Sequence, residues 1–297
     1  MGARRAADEA RHAMPSAEYL DAHDLPLYLV EALKHVHRVS SGAGADASTN
    51  RHIEAAAEYF QAVATGRHVV GRDFAFVQAT PRNRHAFLLA FERAFADSPA
   101  MPVGEWREAL GMLCPDVPAA TVEDAFDAAL GASGAPLGTP DDPEGTPPRV
   151  PFAAFFPAFA VAVEHAGFLA AARALVFADE GADEGAESGA DEGVDTLPTR
   201  MIDGGAREAL AALARTREGA PSPAAVDAAW VTSTSRGGVS VEGFARALCG
   251  DASLRASTEG SIRARQRAHE RAKMTAARDP AGGGAAWRSP GNAPRAK

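Results

Sequence analysis

Apolar side chains recur along this chain at the three- and four-residue intervals of a buried helix face, which predicts an all-α protein. The first such stretch opens near Ser16. In it Leu25, Leu29, Val30, Leu33 and Val36 share helical spacing, and Glu31, Lys34, His35 and Arg38 fill the positions between. Pro26 suits a first turn, where its missing N–H costs nothing. A Gly/Ala/Ser/Asp run over 40–48 reads as a loop. The next helix takes Asn50 as its N-cap and sets Ile53, Ala56, Ala57, Phe60 and Val63 on one face.

Gly66 stops that helix, and the stretch to Gln78 reads as a linker whose Val69, Phe74, Phe76 and Val77 are too apolar to be solvated. Thr80 before Pro81 is a strong helix start, a capping hydroxyl followed by a residue with no N–H to satisfy. The helix it opens carries Phe87, Leu88, Phe91 and Phe95 along one stripe. Shorter helices follow around 105–113 and 122–130, then a Gly/Pro-rich loop over 131–148. The apolar stretch 152–177 is interrupted by Pro157, Glu164, His165 and Arg173. It falls short of the roughly 20 strongly apolar residues that span a bilayer, so it reads as a buried helix pair and no membrane is expected.

Composition then narrows the picture. Hydrophobic residues make up 46% of the 297, but 69 of those residues are alanine, which buries little of the area that drives folding. Phe, Leu, Val, Tyr and Trp crowd into roughly 18–177. The expected organisation is a disordered 1–15, a helix pair at 16–65, a helical body at 66–177, an acidic disordered linker at 178–198, a small helical segment at 199–250 with thin apolar faces, and a mostly disordered basic tail at 251–297. Charge supports the linker and the tail. Asp179 to Asp195 holds eight acidic residues and no basic one, while 251–297 holds ten basic residues against four acidic within a chain of net charge −9. A segment that cannot bury apolar area cannot offset the entropy of ordering.

A weak spacing recurs three times, joining Met101, Trp106 and Leu110, then Val150, Phe155 and Phe159, then Val239, Phe244 and Leu248. It is the interval between the hydrophobic loop position of an EF-hand and its exiting helix, and it predicts degenerate EF-hand-like units. Calcium ligands are missing. The third loop has Gly237 at its sixth position, but Thr232, Thr234, Arg236 and Gly243 stand at positions 1, 3, 5 and 12. The first has Glu105 at position 12 with Ala94 and Ala96 at 1 and 3, and the second has Pro143, Gly145 and Ala154 at 1, 3 and 12. A calcium-binding function is therefore disfavoured.

No phosphate-cradling, dinucleotide, zinc-protease or nucleophile-elbow motif occurs. Cys114 and Cys249 are too few and too far apart for a disulfide framework or a zinc site, and His23, His35, His37 and His52 read as surface histidines. The N-terminal sixteen residues hold no apolar run, so a reducing, intracellular setting is expected. The tail's only aromatic is Trp287, which argues against nucleic acid. No catalytic residue, metal ligand or cofactor is expected, and the chain reads as no enzyme.

One string is not generic. The run Phe76-Val77-Gln78-Ala79-Thr80-Pro81, with Asn83, Arg84 and Phe87 after it, resembles the centriolar satellite-associated tubulin polyglutamylase complex regulator family. Glu58-Tyr59-Phe60 before it and Leu113-Cys114-Pro115-Asp116 with Pro118 after it share that likeness, which covers roughly 19–130 and fades beyond. The resemblance implies a non-catalytic adaptor that supports localisation of the polyglutamylase complex and tubulin polyglutamylation at centriolar satellite, centrosome or basal body and cilium. Its partners would be subunits of that complex, with tubulin or microtubules met through the basic tail. Phe76–Phe87 would be a structural or docking element.

The first two helices also look like the dimerisation and docking module of the type II regulatory subunit of cyclic-AMP-dependent kinase, on Leu25, Pro26, Leu29 and Leu33, then Ile53, Glu58, Tyr59 and Phe60. That likeness implies a homodimer whose groove takes an amphipathic helix. The rival is that these helices pack on the Phe87–Phe95 helix of the same chain. A generic docking scaffold in a ciliary kinase-anchoring assembly is the alternative function.

Overall fold

A computed structural model of the protein describes residues 15–22, 24–41, 49–133, 147–177, 204–217, 219–234 and 240–278. The N-terminus to residue 14, His23, the loop over 42–48, the Gly/Pro-rich stretch 134–146, the acidic linker with 199–203, the third loop's Gly237 and Val239, and residues 279–297 lie outside the described residues. Among the described residues every regular element is helical, as the spacing predicts. The predicted first helix is two, α1 (Ser16–Ala22) and α2 (Leu25–Ser41), with Asp24 between them at φ 53, a left-handed conformation that Asp tolerates better than most. α3 (Thr49–Thr65) runs back along α2, and Tyr28, Ala32, Tyr59 and Val63 bury one another between them.

The linker predicted after Gly66 contains a short helix, α4 (Phe74–Gln78), capped by the Asp73 carboxylate accepting from Phe76 N at 2.7 Å. Thr80 caps α5 (Pro81–Phe95) by accepting from Asn83 N at 3.0 Å, with Pro81 in the first turn. Then come α6 (Val103–Leu113), α7 (Ala119–Ser133) and α8 (Phe152–Glu164). The loops ahead of α6 and α8 meet in an antiparallel bridge. Met101 N donates to Val150 O at 3.1 Å and Val150 N returns to Met101 O at 3.0 Å. Trp106 Nε1 adds a third bond, to Val150 O at 3.2 Å, so burial of the indole costs no donor.

Around that bridge the aromatic residues of α5, α6 and α8 interlock. Trp106 stacks on Phe155 with centroids 4.7 Å apart, and Phe91 meets Phe159 at 5.3 Å and Phe152 at 5.5 Å. Phe87, Phe91, Trp106, Phe155 and Phe159 are fully buried. α8 turns by 67° into α9 (Ala166–Phe177), and among the described residues no single helix is long and apolar enough to cross a membrane.

The sequence leaves open whether the segment beyond the acidic linker packs on the body; in the structure α10 (Gly204–Thr216), α11 (Pro223–Thr234) and α12 (Val241–Gly250) join it despite their thin apolar faces. Leu210, Val226, Trp230, Phe244 and Leu248 belong to the same core as Phe87 and Phe155. Alanine makes this workable, since Ala125, Ala128 and Ala129 of α7 let α12 approach closely with only two large side chains, Phe244 and Leu248. Arg246 to Asp127 at 2.7 Å ties α12 to α7, and Arg173 to Asp124 ties α9 to the same helix. The basic tail, read as mostly disordered, is helical over α13 (Ala252–Arg278), which lies along α8 with Thr258 and Ile262 buried.

Candidate functional site

The residues that single out this sequence converge on one buried junction between α2 and the start of α5. Asn83 is wholly buried there, and a buried amide must have its hydrogen bonds met. Its Oδ1 accepts from Tyr28 Oη at 2.8 Å and lies 2.9 Å from His68 Nε2, while its Nδ2 donates to Phe76 O at 2.8 Å. Tyr28 Oη also sits 3.2 Å from Thr80 Oγ1. The residue after Asn83, Arg84, donates to Gln78 O at 3.2 Å and pairs with Glu164 at 3.3 Å, and Gln78 Nε2 donates to Val163 O at 3.0 Å. The string from Phe76 to Arg84 therefore fastens α2 on one side and the end of α8 on the other.

A second fastening runs beside it. Arg72 pairs with Glu31 at 2.6 Å and lies over the Phe76 ring at 4.0 Å. Burial pushes the Glu31 carboxyl up, but hydrogen bonds from Lys34 and Arg72 outweigh it and hold it below its usual range. Burial likewise raises the Tyr59 hydroxyl to about 12 and lowers His68, His85 and His165. Cys114 and Cys249 are both buried, with the Cys114 thiol raised to about 12, chiefly by burial. Among the described residues no group of His, Cys, Asp and Glu is placed to hold a metal ion.

The nominated residues fall into two sets. Tyr59, Phe76, Thr80, Asn83 and Phe87 are buried, with Gln78, Pro81 and Arg84 half-buried around them. Leu25 is half-buried, and Leu29, Leu33, Ile53 and Phe60 are exposed, Leu33 by 70% and Ile53 by 63%. Sequence periodicity names the apolar stripe of α2 correctly but not its direction. The face turned into the protein carries Tyr28, Glu31 and Ala32, while Leu29, Val30 and Leu33 of the predicted stripe face away and Leu25 and Val36 are half-buried at its ends. Tyr28, Glu31, His68 and Arg72 were not singled out. A hydroxyl or charge among apolar neighbours is a weak signal, and here it marks the junction.

The exposed residues form one surface. Each helical residue turns by about 100°, so Leu29, Leu33 and Val36 lie on one side of the α2 contact with α3. Ile53, Ala56 and Phe60 lie on the same side of α3, because the two helices are antiparallel: Tyr28 and Val63 lie at one end, while His35 approaches Glu58 at 3.9 Å toward the other. The opposite side of the pair is the one that carries Leu27 and Glu31 to the body. The Ala56, Ala57 and Ala64 positions alternate with the large residues of α3, and no charged residue lies within the stripe itself.

This is a helical protein whose buried polar groups at the Asn83 junction serve its own structure, and among the described residues nothing covers the two-helix apolar surface. A protein from Homo sapiens named centriolar satellite-associated tubulin polyglutamylase complex regulator 1 is 35% identical over 112 residues, covering 36% of this chain and 33% of its own length. The protein of that name from Rattus norvegicus is 34% identical over 112 residues, and the one from Danio rerio 38% identical over 72, which is 23% of this chain and 22% of its own. The family that the sequence resembles is thus the one in which similar proteins are found. The chain spans about a third of the length of the curated relatives it matches. No family profile matches this chain, and no solved structure matches it.

Proposed function

We propose that this chain is a non-catalytic regulator of a tubulin polyglutamylase complex, an adaptor that supports the complex's localisation and activity at centriolar satellite, centrosome or basal body and cilium. The observation that carries this reading is the similarity of 34–38% to proteins named as regulators of that complex. The buried role of Asn83 and Thr80 supports it physically: the string that resembles the family is the one the fold needs to join its helices. Affinity purification from a ciliated cell tests it. Polyglutamylase subunits should co-elute with the tagged chain, and their absence would overturn the reading. The basic C-terminal stretch 251–297 is proposed to touch acidic tubulin tails, so Arg263→Gln, Arg267→Gln and Arg271→Gln together, which spare the buried Thr258 and Ile262, should weaken microtubule co-pelleting.

The N-terminal helices are proposed to act as a dimerisation and docking-type pair. Their bare surface is supportive, since Leu29, Val30, Leu33, Ile53 and Phe60 together offer roughly 400–500 Å² of apolar area and a standard interface needs about 800 Å² from each partner. A second copy fits it best, because the large side chains of α2 can seat against the alanines of a facing α3. A kinase-anchor helix captured by residues 1–65 would instead favour the docking-scaffold alternative.

The loops before α6, α8 and α12 are proposed to be calcium-free EF-hand relics. All three exiting helices begin at the tenth loop position, Val103, Phe152 and Val241, and the first two loops pair at their eighth positions, Met101 and Val150. Calorimetry should detect no calcium binding at micromolar concentration.

A further inference from the structure

The outer face of α13 stands apart from the chemistry of the body. The inner face is used as far as Gln266, with Thr258 and Ile262 buried and Leu254, Arg255 and Glu259 half-buried. Arg263, Arg267 and Arg271, all exposed, step at four-residue intervals from the edge of the groove beside α8 onto the outer face. Gly260, Ala264 and Ala268 lie among them and are too small to screen the guanidiniums. Arg263 is paired with Glu259 at 3.1 Å. Glu259 and Glu270 are the acidic residues beside this row, so three guanidiniums stand with two carboxylates, and α13 has few large apolar residues to offset the remaining positive charge. An anionic surface laid along this row would stabilise the helix.

The same chain contains one. Residues 179–195 read DEGADEGAESGADEGVD, eight acidic residues with no basic one in a four-residue rhythm. Laid out, such a strand would bring an acidic pair past every ~14 Å at about 3.4 Å per residue. Arg263 to Arg271 spans eight residues, about 12 Å of helix, so a single step from one acidic pair to the next covers the whole row, with a pair at each end. Reach is sufficient. The 26 residues 178–203 that join Phe177 of α9 to Gly204 of α10 have a contour of about 90 Å. A folded chain of this length has a radius of gyration of only about 19 Å.

We propose that the acidic segment 179–195 docks in cis on the Arg263–Arg267–Arg271 face of α13. An acidic partner then reaches this helix only by exchanging its carboxylates for the chain's own. The contact is one of exposed charges, so it is weak pair by pair and screened by salt. It gains from tethering, which keeps the segment at a high effective concentration.

The test compares the full chain with a variant in which the eight acidic residues of 179–195 become Asn and Gln. Those positions lie outside every helix described, and circular dichroism checks that helicity is unchanged. The probe is a fluorescent polyglutamate peptide. At about 50 mM salt the neutralised variant should bind it about tenfold more tightly than the natural chain, and the difference should vanish near 0.5 M. Hydrogen exchange over 260–271 should be faster in the variant at low salt. Adding Arg263→Gln, Arg267→Gln and Arg271→Gln to the variant should abolish its advantage. Equal affinity and equal exchange in the two chains would overturn the proposal. So would cross-links between 179–195 and α13 that join different copies in an isotope-mixed sample. No polyglutamylase subunit enters the assay, so its failure leaves the adaptor reading untouched.

Discussion

Asn83 concentrates more of the structure than any other side chain, because one amide satisfies Tyr28, His68 and the Phe76 carbonyl at once. Replacing it by Leu removes one partner from each and leaves all three buried, so Asn83→Leu should cost about 2–4 kcal/mol in urea unfolding. Nothing in helix propensity asks for asparagine at the third position of a helix. The string around it was legible as unusual, and Thr80 and Pro81 were legible as a cap, but the pairing with Tyr28 fifty-five residues away was not. The buried histidines give the pH dependence. His68, His85 and His165 have folded pKa values below the 6.5 of an unhindered ring, chiefly through burial. The unfolded chain therefore binds more protons below that value, so their contribution is complete above 6.5 and is lost as pH falls toward the folded values. Thermal midpoints should be level above about pH 7.5 and should drop as pH falls from about 6.5 toward the folded values. His165→Gln should flatten the drop. Asp124, raised to about 6 mainly by burial, is protonated first in the folded chain and so offsets part of that loss from about pH 6 downward.

At the level of elements, amphipathic spacing located the helices far better than it located their partners. The Leu29–Leu33 stripe and the Ile53–Phe60 stripe were legible, yet an apolar face predicts burial without saying against what. Here the chain itself buries the flank that carries Tyr28 and Tyr59. Leu33→Glu places a charge on the bare face without touching that flank, so it should convert a sedimenting dimer to monomer with helicity unchanged. The reverse holds for α13. Its basic composition hid a sparse but sufficient packing row, Leu254, Thr258 and Ile262, in which Ile262 is 2% exposed. Ile262→Ala should cost about 2–4 kcal/mol, read in thermal or urea unfolding, and should loosen the helix from Phe152 and Phe156 beside it.

At the scale of the molecule, the low content of large apolar residues after the acidic linker pointed to two regions, and the packing joins them. Trp106 and Trp230 lie in one continuous core despite 124 residues of separation. Fluorescence of single-tryptophan variants should therefore report coincident unfolding midpoints for the two positions, and separated midpoints would show independent bodies. The alanines made this hard to read, because what they contribute is close approach between helices, a property of pairs that no single segment displays. The junction at Asn83 has a further consequence for assembly. A docking module joined to its protein by a loose tether leaves its cargo free to sample many orientations. Here Tyr28, Glu31 and Arg72 weld the pair to the body, so two copies meeting through the bare face would hold their bodies at one angle and one spacing. The resulting particle would behave as a rigid caliper, and would grip best where its targets repeat at its own span.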